Sequence, residues 1–314
     1  MKRVLVIFII LTGLCFSQNV QVVSNQTILK NDNQHFAFPK FNPQGDKILV
    51  SSPKYRGLWL YEIQEQKLQN LNTKNGAGYK AQFSEDGKQI LFRYNTYQNH
   101  RKYSTLAIQN VEDNQIETLV KNKRKLSPPH YFEKKSIMYN LQGSKQVFDL
   151  SSNTAKEISA LSKAVISEPL AYTENSNLII QTNGKEKILN PAGKGHYIWG
   201  SISPQKDRIL FTLAGRGTFI CDLKGDIIAD LGHANYPSWS PDGKWIVAMQ
   251  DEDDGHKITA SEIVVKSANG EQEFLLTKSS DKIEMHPDWS PAGDKIVYDT
   301  ISGNIEVLQL EIHE

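Results

Sequence analysis

The sequence predicts an all-β fold, a β-propeller of four-stranded antiparallel blades. Seven blades are expected, with six as the alternative, and an N-terminal strand closes the ring by joining the last blade. Three observations carry this expectation. A phrase built from an aromatic residue, a Ser-Pro turn and an apolar run stands at Tyr236–Met249 as YPSWSPDGKWIVAM and returns at His286–Asp299 as HPDWSPAGDKIVYD. Worn copies of the phrase recur at steps of 30 to 50 residues. The text between copies holds further short β-type runs.

The chain opens with MKRVLVIFIILTGLCFSQ, a charged start at Lys2 and Arg3 followed by an apolar core too short to span a bilayer as a mature helix. This reads as a signal peptide over residues 1–17, leaving 18–314 as a single propeller domain. Cys15 raises a lipoprotein anchor, which Leu14 before it disfavours, because such signals usually carry a small residue there. The run QTILK, from Gln26, reads as a fourth strand placed ahead of the first copy.

The repeated phrase has a physical logic. Pro arrives with φ preset, Ser and Asp bond nearby backbone groups, and Gly accepts the positive φ that closes the turn. Strand, tight turn and strand make a hairpin. The run Trp245 to Met249 is apolar at successive positions, as expected of a strand covered on both faces. Convincing copies are anchored at Phe41, Phe83, Ile202, Trp239 and Trp289, and weaker ones at Tyr131 and Tyr172. After each hairpin comes a third run (GLWLYEI, STLAIQNV, GTFICDLKG) and often a fourth (QKLQNLN, DIIADLG, EQEFLLT). The step from Tyr172 to Ile202 is short for four strands, so a fourth is expected to be missing there. The last copy shows three strands and shares its blade with the N-terminal run, which removes the open sheet edges.

The order FLLT, HPDWSPAGDKIVYD, GNIEVLQL resembles the TolB-type, WD-like propeller repeat of bacterial envelope proteins. The resemblance runs from Phe36 to the C-terminus. It implies a periplasmic or secreted scaffold that binds a protein partner in the cell envelope. The propeller of that family is six-bladed, hence the alternative count. The α/β domain that precedes it has no counterpart in this sequence, so a place in the Tol–Pal machinery does not carry over.

Charge is balanced, with 36 Lys and Arg against 35 Asp and Glu, which argues against nucleic acid as a partner. Lys121 to Lys125 reads as a solvated loop between blades, with a phosphate or acidic-partner patch as the alternative. After signal cleavage no transmembrane segment is expected, and a monomer is. Cys221, the one cysteine left, reads as a small buried hydrophobe. No Gly-x-Ser-x-Gly elbow, phosphate loop, His-Glu-x-x-His or cysteine pair is found. No catalytic residue, metal ligand set or cofactor is therefore assigned, and the balance leans against an enzyme. Asp251 to Gly255 (DEDDG) reads as an acidic loop, with a bound cation as the alternative.

The candidate site comes from alignment on the anchors. His35, His196 and His233 each stand six residues before Phe41, Ile202 and Trp239. An aromatic follows three residues on in each case, Phe38, Trp199 and Tyr236, and His286 stands three before Trp289. Either each histidine bonds within its own loop, or these side chains line a ligand or metal pocket at the channel mouth. The second reading would make the protein a carbohydrate-active or ligand-binding propeller.

Overall fold

The computed structural model describes residues 19–30, 34–132, 136–157, 168–182 and 185–313. The expected signal peptide and Cys15 lie outside them. Among the described residues twenty-seven strands form seven antiparallel sheets. Blade 1 is β2 (Ala37–Phe41), β3 (Lys47–Ser52), β4 (Arg56–Glu62) and β5 (Lys67–Asn72), with one 3-10 turn at Pro53–Tyr55. Blade 2 is β6 (Gln82–Phe83), β7 (Gln89–Gln98), β8 (Arg101–Asn110) and β9 (Ile116–Lys123), so the expected Lys121 to Lys125 loop begins as the exposed end of a strand that pairs with β8. Blade 3 is β10 (His130–Phe132), β11 (Ser136–Leu141), β12 (Ser144–Asp149) and β13 (Thr154–Glu157). Among the described residues blade 4 holds three strands, β14 (Leu170–Glu174), β15 (Asn177–Thr182) and β16 (Lys185–Ile188), as expected from the short step to the next copy.

Blade 5 is β17 (Tyr197–Ile202), β18 (Arg208–Leu213), β19 (Gly217–Asp222) and β20 (Ile227–Gly232). Blade 6 is β21 (Asn235–Trp239), β22 (Trp245–Asp253), β23 (Ile258–Ser267) and β24 (Glu273–Leu275). Blade 7 takes β25 (Glu284–Trp289), β26 (Lys295–Thr300) and β27 (Ile305–His313) from the C-terminus and β1 (Asn19–Leu29) from the N-terminus. β1 pairs with β27 from Asn19 opposite His313 to Leu29 opposite Ile305. Seven blades, not six, close the ring, and the closing strand is longer than the QTILK run.

The successive apolar positions of β22 have the expected cause. Trp245, Val247 and Met249 pack against Trp289, Ile296 and Tyr298 of blade 7, while Ile246 joins Leu210 and Ile220 of blade 5. Side chains alternate faces along a strand, so one strand serves two neighbouring sheets.

In blades 2, 5, 6 and 7 a turn serine organises the first hairpin. Ser240 Oγ accepts from Trp245 N at 2.9 Å and donates to Asp242 Oδ1 at 2.5 Å, while Gly243 takes φ 66°. Ser84, Ser203 and Ser290 accept from Gln89, Arg208 and Lys295 in the same way. In blade 1 Asn42 Oδ1 does so from Lys47 N at 2.9 Å. Blades are also latched: Gln205 Nε2 donates to Asp242 O at 2.7 Å across the blade 5 and 6 boundary.

Candidate ligand site at the channel mouth

The first strand of each blade lies innermost. β14 contacts β17, β21 contacts β25, and β25 contacts β2, so these strands line the axis. In four blades the pairing of first and second strand breaks at one equivalent place, between Ala37 and Lys40, Ile198 and Ser201, Asn235 and Ser238, and Met285 and Asp288. Each break is a bulge with a residue in the left-handed region: Phe38 (φ 58°), Trp199 (φ 51°), Tyr236 (φ 53°) and His286 (φ 50°). A non-glycine residue pays of order 1 kcal/mol for this backbone, and bulges re-aim side chains.

The aimed rings meet. Trp199 lies edge-on to Tyr236 at 5.9 Å between centroids, Tyr236 to His286 at 4.8 Å, and His286 tilts on Phe38 at 4.2 Å. Phe38 stacks on Tyr55 at 4.1 Å, and Tyr55 meets Tyr79 at 5.0 Å. The arc thus runs from blade 5 through 6, 7 and 1 to blade 2. Asp299 props it from below: its Oδ1 lies 2.9 Å from His286 Nδ1 and accepts from Phe38 N at 3.2 Å. Asp299 is 1% exposed, and burial raises its pKa against the pull of His286. Burial, aided by Tyr236, Tyr79 and Asp299, pushes Tyr55 up to about 12. Beside the arc, Lys40 and Asp288 pair at 3.6 Å, and attraction to Asp288 raises the lysine pKa.

The upstream histidines do something else. His35 Nε2 lies 2.5 Å from Ser302 O, His196 Nδ1 lies 2.5 Å from Ser176 Oγ, and His233 Nε2 lies 3.4 Å from Asp251 Oδ1. All three are exposed and spread over separate loops. Of the seven expected site residues, Phe38, Trp199, Tyr236 and His286 therefore come together, while His35, His196 and His233 do not meet one another. Among the described residues no three His, Cys, Asp or Glu side chains gather as a metal site.

The DEDDG segment ends a long hairpin. Asp253 and Asp254 accept from Gly255, His256 and Lys257 backbone N–H groups, and Asp251 accepts from Asn235 Nδ2. Cys221 is fully buried, and burial pushes its thiol up to about 12.

Sequence reasoning missed Tyr55, Tyr79, Asp299 and the opposite wall of the mouth. Lys80 was within reach of the alignment, since it stands three residues before Phe83 and shares the positive φ (55°). On that wall His130 Nδ1 lies 3.3 Å from Gln82 Nε2, and its ring sits 6.2 Å from Tyr172. Burial first, then Lys80 and Lys145, lower the His130 pKa to about 4.

No protein-family model and no curated protein matches this chain in sequence. Solved structures match in fold. TolB from Acinetobacter baumannii is 16% identical with a TM-score of 0.51, over 82% of this chain and 57% of that one. This chain therefore spans little more than half the length of that TolB. An oligogalacturonate lyase from Vibrio parahaemolyticus is 11% identical with a TM-score of 0.60, over 93% and 98%. An oligogalacturonate lyase in complex with manganese is 11% identical with a TM-score of 0.64, over 94% and 96%. The described residues offer no donor set that fits a metal, so manganese chemistry is not carried to this chain. At such identities likeness speaks for the fold alone, and the fold is a TolB-like seven-bladed β-propeller.

Proposed function

We propose that this protein is a non-enzymatic, monomeric binding propeller of the bacterial cell envelope, secreted or periplasmic, which takes a segment of a protein partner across the aromatic side of its channel mouth. The observation that carries this reading is the continuous ring contact from Trp199 to Tyr79, aimed by four bulges at one repeat position. Backbone strain repeated in four blades at one surface points to use, and Trp and Tyr in such clusters dominate binding energy.

A photo-crosslinking residue placed at Tyr236 in cells should trap one envelope protein. With the purified pair, Trp199→Ala and Tyr236→Ala should each weaken affinity by roughly 30-fold. Wild-type affinity in both variants would remove the reading.

A second reading is a carbohydrate-active or ligand-binding propeller. It is supported by the imidazole of His286, oriented by a buried carboxylate, and by the likeness to two oligogalacturonate lyases over nearly the whole chain. Turnover of oligogalacturonate by the purified protein, lost in His286→Ala, would put this reading first.

A further inference from the structure

Opposite the aromatic arc, blades 2, 3 and 4 enclose a cavity of about 80 Å³ at the channel wall, lined in part by Lys80, Pro128, His130, Lys145 and Tyr172. Its donors are not matched by acceptors. Lys145 is committed, with Glu174 at 3.7 Å and with Glu186 and the Tyr172 hydroxyl in closer contact. Lys80, open to the channel, has no hydrogen-bond or ion-pair partner among the described residues. Arg93, next to this wall, spends one terminal nitrogen on Leu126 O at 2.6 Å, and its Nε–H is buried with no acceptor.

The His130 tautomer follows from its neighbours. Gln82 Oε1 accepts from Tyr131 N at 3.3 Å, so the amide nitrogen faces His130 Nδ1 and donates to it. The ring proton then sits on Nε2, which has no acceptor among the described residues. An ammonium and an imidazole N–H, both lacking acceptors among the described residues, line a space that holds a few waters, and Arg93, outside that lining, acts on Lys80 through its charge. A cation and an N–H donor turned to one recess without acceptors favour an anion there.

We infer that this cavity is an oxyanion site, in which Lys80 and His130 Nε2–H hold one carboxylate or phosphate group, with Arg93 adding its charge from behind. The inference deepens the binding reading of the mouth. It gives the occupant an acidic group on the side facing blades 2 to 4 and a flat or apolar part on the aromatic side. The groups that set the local field are Lys80, Arg93 and Lys145 against Glu174 and Glu186, with neutral Tyr172 and His130.

The test uses the whole mature chain and small probes. The ring nitrogens of His130 are followed by NMR through a pH titration with acetate, with inorganic phosphate, and with chloride as control. A bound oxyanion offsets Lys80 and Lys145, so acetate or phosphate should raise the His130 pKa from about 4. A response to acetate alone assigns a carboxylate, and to phosphate alone a phosphate group. Lys80→Met should weaken the anion by about tenfold or more, while Trp199→Ala leaves it unchanged. No shift of His130 with either anion at millimolar concentration, or equal affinity in Lys80→Met, overturns the inference. If partner binding at Tyr236 holds while the anion fails, only the oxyanion site is lost. If the anion binds while the aromatic variants keep full partner affinity, the reading above fails and this one stands.

Discussion

The two sides of the channel mouth are built on the same repeat and end differently. In blades 5, 6, 7 and 1 the position three residues before the anchor is Trp199, Tyr236, His286 or Phe38, and each sits on a bulge at positive φ. In blades 3 and 4 the same position is Pro128 and Pro169. Proline fixes φ near −65° and cannot enter the left-handed region. The first strands there accordingly pair without a register break. Blade 2 stands between, with Lys80 at positive φ but an innermost strand of only two residues. One side thus aims rings into the mouth, and the other leaves a recess with cations. A single repeat position, filled by an aromatic, a lysine or a proline, sets both backbone and chemistry.

The largest effect should separate the two sides by packing. Trp245 of blade 6 is 1% exposed in a large cluster shared with blade 7. Trp245→Ala should lower the unfolding free energy by about 3–5 kcal/mol. Met138 of blade 3 belongs to a much smaller cluster with Val147, Tyr172 and Ile179, and Met138→Ala should cost about 2 kcal/mol. Denaturant unfolding with the order reversed would break the comparison.

Next comes the support of the aromatic arc. Asp299→Ala leaves Phe38 N–H and His286 without their acceptor. It should cost about 1–3 kcal/mol and alter the near-ultraviolet circular dichroism of the ring cluster. An unchanged spectrum would mean that the bulges hold the rings without it.

The last effect is confined to low pH and belongs to the opposite side. His130 titrates at about 4 in the fold and near 6.5 when unfolded. Between these values the unfolded chain binds the extra proton, so stability falls as pH drops from 6.5 toward 4, with no further loss below. His130→Gln should remove that part of the slope. Buried Asp299 and Glu284, whose pKa values burial raises, are common to both proteins and cancel in the difference. Identical slopes would place His130 in open water.

The repeat alone made the fold legible, because turn chemistry and strand patterning are local. Ser240, Asp242 and Gly243 act within six residues of one another, and their spacing is visible in the text. That blade 4 shows three strands among the described residues was foreseeable from the shortfall of chain between Tyr172 and Ile202. The site was half legible. Alignment on the anchors pointed to Phe38, Trp199, Tyr236 and His286, which converge, but also to His35, His196 and His233, which bond to Ser302, Ser176 and Asp251 in their own surroundings. A residue six positions before the anchor still belongs to the loop entering the blade. A residue three before it sits on the strand at the axis.

What the sequence determined by itself is the brick: the hairpin, its turn serine, the doubly covered strand and the strand at each end that lets the ring close. Seven copies pointed to seven blades, tertiary structure settled that count against six, and it alone decided the company each mouth residue keeps. Asp299 reaches Phe38 across 261 positions of sequence, and His286 lies between rings from blades 1 and 6. Closure of the ring brings these residues together. Nothing local to any of them encodes that meeting, because it depends on how seven twisted sheets sum around one axis.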